Sequence, residues 1–548
     1  METFGTIGAT HRLSSPTMIH VNRRLMRLTP RPRRFRSIAS GMLMLGLLGG
    51  CASLPSPMER EDQLMAPVTG DSALDQTISE FLAPHPNQSA AHFLKDGLDA
   101  FAARLTAADR ASRSIDAQYY LFHDDVTGGL YAESLLRAAK RGVKVRLLLD
   151  DMGAHRRDAF LLALNHHPNF DIRIFNPFAN RKVRALEYLY RFGLVTRRMH
   201  NKSMVVDGVV AITGGRNIGD DYFDASPKSN FIDLDVMVFG PAVGQVADQF
   251  DEYWNSPLSY DIASLAKQDV TPGESLSQWQ ALHDEALRQS DSVYLKRVEQ
   301  TAFLEHIKAA TLPISVGPTI VLVDQPQKVR EPLYDDSTHL APDLWPYFRQ
   351  AKSELIILNP YFIPSDAGVE ALADAAGRGC RVVVLTNSLA ANDVAAVHGH
   401  YAKYRKSLIK AGIEIYELRA DREMSEFDEA DLAALSDHIS LHVKTFVFDR
   451  QQTFIGSLNL DARSVYQNTE LGVIVEDPKM AGQIAELALN NLSKLAYHVQ
   501  LDEDGRMTWT GWNRDEEEEI TLYKEPDAGF WRKTVAWISR IMPVESQL

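Results

Sequence analysis

One long pattern occurs twice in this chain, and that repeat constrains the fold more than any other feature. In the first half, Ser114 opens the run IDAQYYLFHDD, the helical pattern GGLYAESLLRAAK follows, and Arg141-Gly142 leads into VKVRLLLDDMG. In the second half, Glu354 opens LIILNPYFIPSD, GVEALADAAG follows, and Arg378-Gly379 leads into CRVVVLTNS. Both read as strand, amphipathic helix, turn and buried strand. Gly ends each helix because it accepts a left-handed backbone cheaply, and the apolar run then enters a sheet covered on both faces. The two Arg-Gly pairs stand 237 residues apart, so the repeat is a duplicated domain and not a solenoid unit. A chain of 548 residues is in any case too long for one core.

A second pair of matches follows in the same order. His200-Asn201-Lys202 runs through SMVV to Asp207 and on to Asn217. His442-Val443-Lys444 runs through TFVF to Asp449 and on to Asn459. If these stretches are strands, His and Lys of each H-x-K point to one face, and Asp207-Gly208 and Asp449-Arg450 are tight turns. A single H-x-K-x4-D arises by accident in roughly a few per cent of chains of this size. Two copies, each followed at the same distance by G-[GS]-x-N, leave little room for accident.

These residues resemble the phospholipase D superfamily, whose H-x-K-x4-D-x6-G-G/S-x-N both copies meet in full. The resemblance implies an α/β fold of two similar domains, each a mixed sheet flanked by helices, related by a pseudo-twofold axis. The two motifs would meet in one cleft between the domains, with no metal or other cofactor. Segments outside the motifs, among them GGRNIGDDYFDA, NSLAANDVAAVHGHYAKYRKSL and GSLNLDARSVYQNTELG, are similar to C-type bacterial cardiolipin synthases and their lipoprotein relatives.

The chemistry follows from the residue types. Attack on a phosphodiester needs a nucleophile, a proton for the leaving alkoxide, and positive charge around the phosphoryl oxygens. One neutral imidazole can form a phosphohistidine while the other, protonated, acts as acid and then as base toward the entering alcohol. The family pattern makes His200 the nucleophile and His442 the acid and base, and the symmetry of the repeat leaves the reverse order open. Lys202, Lys444, Asn217 and Asn459 would bind the phosphoryl oxygens, with Ser457 a further donor. Asp233 and Glu470 occupy corresponding places and would orient the His rings through Nδ1, with Asp235 the alternative to Asp233. Asp207 and Asp449 complete the motifs, and their turn positions point to structural work.

Charge and the amino terminus narrow the substrate. Eight Arg and one Glu in the first 50 residues leave the rest of the chain at about −21, against −14 for the whole. An acidic body holds a phosphate backbone poorly, so no nucleic-acid partner is expected and a nuclease is disfavoured. Residues 1–50 read as a signal peptide, with an apolar run from Ile38 to Leu48 behind an Arg-rich stretch. Leu48-Gly49-Gly50-Cys51 resembles a lipobox, which makes Cys51 the lipidation site. Ala52 after it leans toward the outer membrane, in a periplasm-facing bacterial lipoprotein. Residues 51–85 then read as a lipidated tether, 86–310 and 311–500 as the two catalytic domains, and 501–548 as an extension with an amphipathic helix. Cys380 reads as a small buried residue, since two cysteines this different in context suggest no bridge.

The expected function is transfer of a phosphatidyl group to phosphatidylglycerol at a membrane surface, making cardiolipin. The alternatives are a hydrolytic phospholipase D or, less readily, a non-catalytic lipoprotein scaffold. The sequence leaves the oligomeric state open. Five further features need a reading. His398, Tyr401 and Arg405 line a substrate pocket or pack within a helix. His166-His167 sits in a surface loop in preference to binding metal, and the acidic run from Asp515 is a solvated face. The basic and aromatic stretch Arg181–Arg198 lies on an anionic membrane or packs on the core. The apolar side of FWRKTVAWISRIM is expected to dock on the protein sooner than on lipid.

Overall fold

Alternate residues of single strands feed different hydrophobic cores, which is how this sequence builds two layered sheets. Along Lys144–Asp150, Val145, Leu147 and Leu149 enter the core of the first half, while Leu148 faces a cluster with Phe175, Phe250 and Trp254. Along Glu354–Leu358, Leu355 and Ile357 enter the core of the second half, while Ile356 and Leu358 face a third cluster. That third cluster joins the halves, since it also holds Ala91, Leu234, Val236 and Val238. Each fully buried Val, Leu or Ile contributes about 1.5–3 kcal/mol. The computed structural model describes residues 53–56, 60–181, 183–266, 293–420, 438–490, 492–513, 518–542 and 544–547, with positions 277, 281 and 284.

The first sheet has nine strands. In spatial order they are Ser315–Gly317, Ser89–Leu94, Asp235–Phe239, Val210–Gly214, Ser203–Val206, Ser114–Tyr119, Lys144–Asp150, Phe170–Phe175 and Ser259–Asp261. The second has ten: Thr319–Val323, Leu471–Glu476, Gln452–Gly456, Thr445–Phe448, Glu354–Leu358, Arg381–Asn387, Glu414–Leu418, Ala496–Leu501, Met507–Asn513 and Glu518–Leu522. From Asp235–Phe239 onward in one, and from Leu471–Glu476 onward in the other, the two run in the same order. In both, three adjacent strands are parallel and their neighbours antiparallel. The expected mixed α/β architecture of two similar domains is therefore present. The Arg-Gly turns behave as their residues require, with φ +100° at Gly142 and +90° at Gly379.

Several expectations need correction. His200 and Lys202 lie just ahead of the strand Ser203–Val206, and His442 and Lys444 just ahead of Thr445–Phe448. Neither H-x-K is strand, because its backbone turns away to bond with the other half. Residues 60–82 are no free tether. The Arg146 guanidinium, buried between Asp116 at 2.6 Å and Asp251 at 2.7 Å, needs a third acceptor, and the carbonyl of Gln63 supplies it at 2.7 Å. Ser72 and Asp75 form a capping box for the helix Ala73–Leu82, and Asp75 pairs with Arg113 at 2.6 Å.

The boundary between the halves falls at Pro318 and not at residue 310, since Ser315–Gly317 still pairs with the first sheet and Thr319–Val323 with the second. The segment beyond 501 is no separate extension, because Met507–Asn513 and Glu518–Leu522 continue the second sheet. The expectations for residues 1–50 and Cys51 fall outside the described residues, as do Asp515–Glu517; Glu518 and Glu519 are exposed.

Candidate active site

Each motif reaches its histidine across to the opposite half. The amide of His200 donates to the carbonyl of Thr469 at 2.8 Å, and Thr469 donates back to Arg198 at 2.9 Å. Opposite, Ser229–Ile232 pairs in parallel with His438–Leu441, and the amide of His442 donates to Ile232 at 2.8 Å. The residue after Thr469 is Glu470 and the residue after Ile232 is Asp233. The backbone pairing thereby sets each carboxylate against the other half's imidazole. His200 Nδ1 meets Glu470 Oε2 at 2.8 Å, and His442 Nδ1 meets Asp233 Oδ2 at 2.6 Å. All four side chains are buried, and with both Nδ1 atoms engaged, Nε2 is the nitrogen of each ring left outside that pairing.

The structure separates Asp233 from Asp235. Asp235 accepts from Arg104 at 2.8 Å and serves the buried framework. The motif aspartates also serve the framework. Asp207, at φ +52°, accepts from the amides of Ser112, Arg113 and Ser114. Asp449, at φ +53°, accepts likewise from Lys352, Ser353 and Glu354. Each pins the start of the parallel strand beside its motif. Burial opposes ionisation of Asp449, but those hydrogen bonds outweigh it and hold the carboxyl below its ordinary range.

The lysines converge on the histidines: Lys202 Nζ donates to the carbonyl of His200, and Lys444 Nζ to that of His442. Burial pushes Lys202 down to about 7 and Lys444 to about 8. Burial, with the two lysines adding to it, holds His200 well below its ordinary value; burial and Lys444 lower His442 against the pull of Asp233. Burial pushes Glu470 up to about 7, whereas Asp233 stays below the usual carboxylate range because His442, Lys444 and Arg216 offset its burial. The site therefore holds one carboxylate that resists ionisation and one that favours it, a difference suited to keeping two imidazoles in different protonation states.

The expected phosphate donors divide. Asn459 Oδ1 is buried without a partner. Asn217 is engaged, accepting from the Leu121 amide at 3.1 Å and donating to Tyr222 Oη at 2.9 Å. Ser457 is also engaged, its hydroxyl donating to Glu470 Oε2 at 2.5 Å.

Sequence reasoning missed five residues. Tyr120 packs edge-on against His200 at 5.1 Å, and Tyr222 and Phe231 flank His442 at 5.3 and 5.0 Å. Asp150 accepts from the Met199 amide at 2.9 Å, and Asn387 accepts from the Leu441 amide at 2.8 Å. These two polar residues end the apolar runs VKVRLLLD and CRVVVLTN. A polar side chain closing a buried strand in both repeats was the signal that could have found them.

The remaining candidates resolve as follows. His398, Tyr401 and Arg405 pack as part of the fold, all three buried in a network with Glu417, Glu525 and Trp509. His398, Glu417 and Glu525 have the spacing of a metal cluster, but the Arg405 guanidinium occupies the cationic place beside both carboxylates. His166 and His167 end the helix Asp158–Asn165 at the surface.

In the stretch after Arg181 the arginines turn inward, Arg181 to Asp151 and Asp158, Arg184 to Asp151, and Arg198 to Asp150. Its apolar residues turn outward, with Leu189 83% and Tyr190 58% exposed. The helix Phe530–Ile541 likewise sets Ala536 and Ser539 against the protein and leaves Trp531 77% and Ile541 67% exposed. That is the reverse of the docking expected from its sequence. Arg463 ties the two regions, donating to Thr196 O at 2.6 Å and to Gln547 O at 3.2 Å.

Comparison with known proteins agrees with the geometry. Residues 105–254 and 344–490 match the family described as cardiolipin synthase, phospholipase D-like domain. The chain is 40% identical to cardiolipin synthase C of Escherichia coli strain K12 over 86% of its own length and 99% of that protein's. It is 27% identical to cardiolipin synthase A of Pseudomonas putida strain GB-1, over 76% of this chain and 70% of that one. Among solved structures, the phosphatidylserine synthase of Haemophilus influenzae superposes with a TM-score of 0.52 at 13% identity, covering 86% of this chain and 99% of that chain.

Proposed function

The chain belongs to the cardiolipin synthase family with phospholipase D-like domains, and from that premise we propose that it makes cardiolipin by moving a phosphatidyl group onto phosphatidylglycerol. His200 Nε2 attacks the phosphorus of the donor phospholipid, and the bond to the headgroup alkoxide breaks as His442 gives it a proton. His442, now neutral, takes the proton of a phosphatidylglycerol hydroxyl. That oxygen attacks phosphorus and His200 leaves, restoring the enzyme. Lys202, Lys444 and Asn459 hold the phosphoryl oxygens as charge develops. Burial leaves both lysines weakly basic, and an arriving phosphate anion draws them back to full charge.

The observation that carries this reading is the crossed pairing of each buried histidine with a carboxylate from the other half. It brings the two imidazoles and the two lysines close enough to feel one another's charge. The order of roles rests on the contrast between the carboxylates. Asp233 favours the ionised form and suits an imidazole that must carry a proton, while Glu470 resists ionisation and suits a neutral one.

A membrane surface is the partner this chemistry requires. The outward apolar faces around Leu189 and along Phe530–Ile541 support it, on regions bridged by Arg463. Among the described residues no helix is long and apolar enough to cross a membrane. Anchoring through a lipid on Cys51, on the periplasmic side and in the outer membrane, fits such a surface-seated enzyme. The test is cardiolipin formed from defined donor and acceptor lipids by wild type and His200→Ala. Product from wild type alone supports the proposal, and equal product from both, or none from either, refutes it. The ratio of phosphatidic acid to cardiolipin separates transfer from hydrolysis.

A further inference from the structure

The repeat makes the two halves internal controls for one another, and one pair of equivalent regions differs in what fills it. The helices Val126–Lys140 and Ser365–Gly377 align through their closing Arg-Gly turns. In that register Leu135 and Leu372 are both buried, as are Ala138 and Ala375. The same register sets Tyr131 against Gly368. Aligning the motif asparagines, Asn217 with Asn459, sets Phe223 against Val465.

In the first half Tyr131 and Phe223 are buried, Tyr131 on Phe122 and Phe223 on Phe101 with centroids 4.9 Å apart. In the second half the smaller residues leave a cavity of about 340 Å³, walled by Phe348, Phe362, Leu372, Leu460 and Val465. Asp461 and Glu545 bring polar atoms to its lining. The cavity is partly open to the surface and mostly apolar in its walls, so it offers apolar area that an incoming hydrocarbon could cover. Its size lies within the range of small-molecule sites.

The cavity also adjoins the chemistry. Leu460 and Asp461 directly follow Asn459, and the Ile363 amide donates to Leu460 O at 2.8 Å, which joins the wall to the motif. The charge of Asp461 is felt at Lys444 and at Glu470. Resting on the phospholipid reading above, we infer that this cavity, present where the first half packs Tyr131 and Phe223, takes one acyl chain of the lipid whose phosphate lies at the motif of the second half. A hydrocarbon chain suits it because the walls are apolar, and the site that would hold its phosphate is next along the chain.

Two measurements test this. In the first, Val465→Phe restores the aromatic residue of the other half. Turnover of a long-chain phospholipid in mixed micelles should fall about tenfold or more in kcat/KM, while that of its dihexanoyl analogue changes less than about twofold. Thermal melting should show the variant folded. A folded variant with equal losses on both lipids, or with none, overturns the inference. The second needs no turnover: wild-type protein is irradiated on vesicles of phosphatidylglycerol carrying a mid-chain diazirine. Adducts on Phe348, Leu372 or Val465 support the acyl site, and adducts confined to surface residues overturn it. If those adducts form while no lipid product is made, the phosphatidyl-transfer reading fails and the acyl site stands. If product is made and the adducts lie elsewhere, the reverse holds.

Discussion

The two halves share a strand order, a motif and a crossed carboxylate, yet they do not make equal sites. On the His200 side, Glu470 is pushed up to about 7 by burial and is backed by the Ser457 hydroxyl. On the His442 side, Asp233 stays low through His442, Lys444 and Arg216, and the place of Ser457 is taken by Gly215. A side chain there is barred, since a Cβ on Gly215 would meet Asp233 Oδ1 at 2.1 Å. Duplication supplies two similar imidazoles, and on the proposed reading a few neighbours fit one of them to attack and the other to carry a proton.

That contrast can be broken most severely at the carboxylates. Asp233→Asn removes the ionised partner of His442 and leaves the wrong tautomer, so kcat should fall about 10³–10⁴-fold. Glu470→Gln replaces a group already inclined to the neutral form, and its loss should be nearer 10–100-fold, on the order of a single hydrogen bond to the reacting pair. Steady-state lipid transfer checks both, and equal losses would mean the two sides are equivalent after all.

The pH dependence sharpens the comparison next. Lys202 at about 7 and Lys444 at about 8 are cations below those values and lose charge as pH rises through them. Phosphate affinity in the free enzyme should therefore be full below about pH 7 and should weaken through pH 7–8. The KM for lipid rises over that window, and Lys444→Arg, whose charge does not titrate there, should shift the rise downward toward the value of Lys202 alone. For stability the sign is opposite. The unfolded chain binds more protons than the folded one between the depressed values and the ordinary lysine value of about 10.4, so these two groups make stability rise with pH there. Thermal melting against pH, with and without Lys202→Met, measures that contribution. The smallest effect belongs to Ser457→Gly, which makes the second site resemble the first. Loss of one neutral hydrogen bond to Glu470 should reduce turnover by about tenfold or less.

Much of this was legible in the sequence. The duplicated strand–helix–turn–strand pattern gives both sheets because the apolar alternation is local, and the histidines and lysines stand in the motifs themselves, with Asp233 and Glu470 at corresponding places downstream. What stayed hidden depends on contacts remote in sequence. Nothing local says that Glu470 serves His200 and Asp233 serves His442, since that follows from the Thr469 and Ile232 backbone pairings between halves. Ser457 reads as a phosphate donor, and nothing in the sequence says that its hydroxyl donates to Glu470. Residues 60–82 read as a tether because their anchors, Arg146, Asp251 and Trp254, lie far along the chain. The exposed face of Phe530–Ile541 misleads for a physical reason too: its periodicity is that of a packed helix, but the small residues and not the large ones meet the protein.

The claim at the centre is that His200 forms the covalent bond and His442 moves the proton. A phospholipid analogue with a p-nitrophenyl leaving group needs no acid, so His442→Ala should still release one equivalent of nitrophenol in a burst and then stall. Peptide mass spectrometry after an alkaline quench should find the phosphatidyl adduct on His200, with neither burst nor adduct in His200→Ala. An adduct on His442 in the wild-type enzyme, or a burst that survives in His200→Ala, would contradict the account.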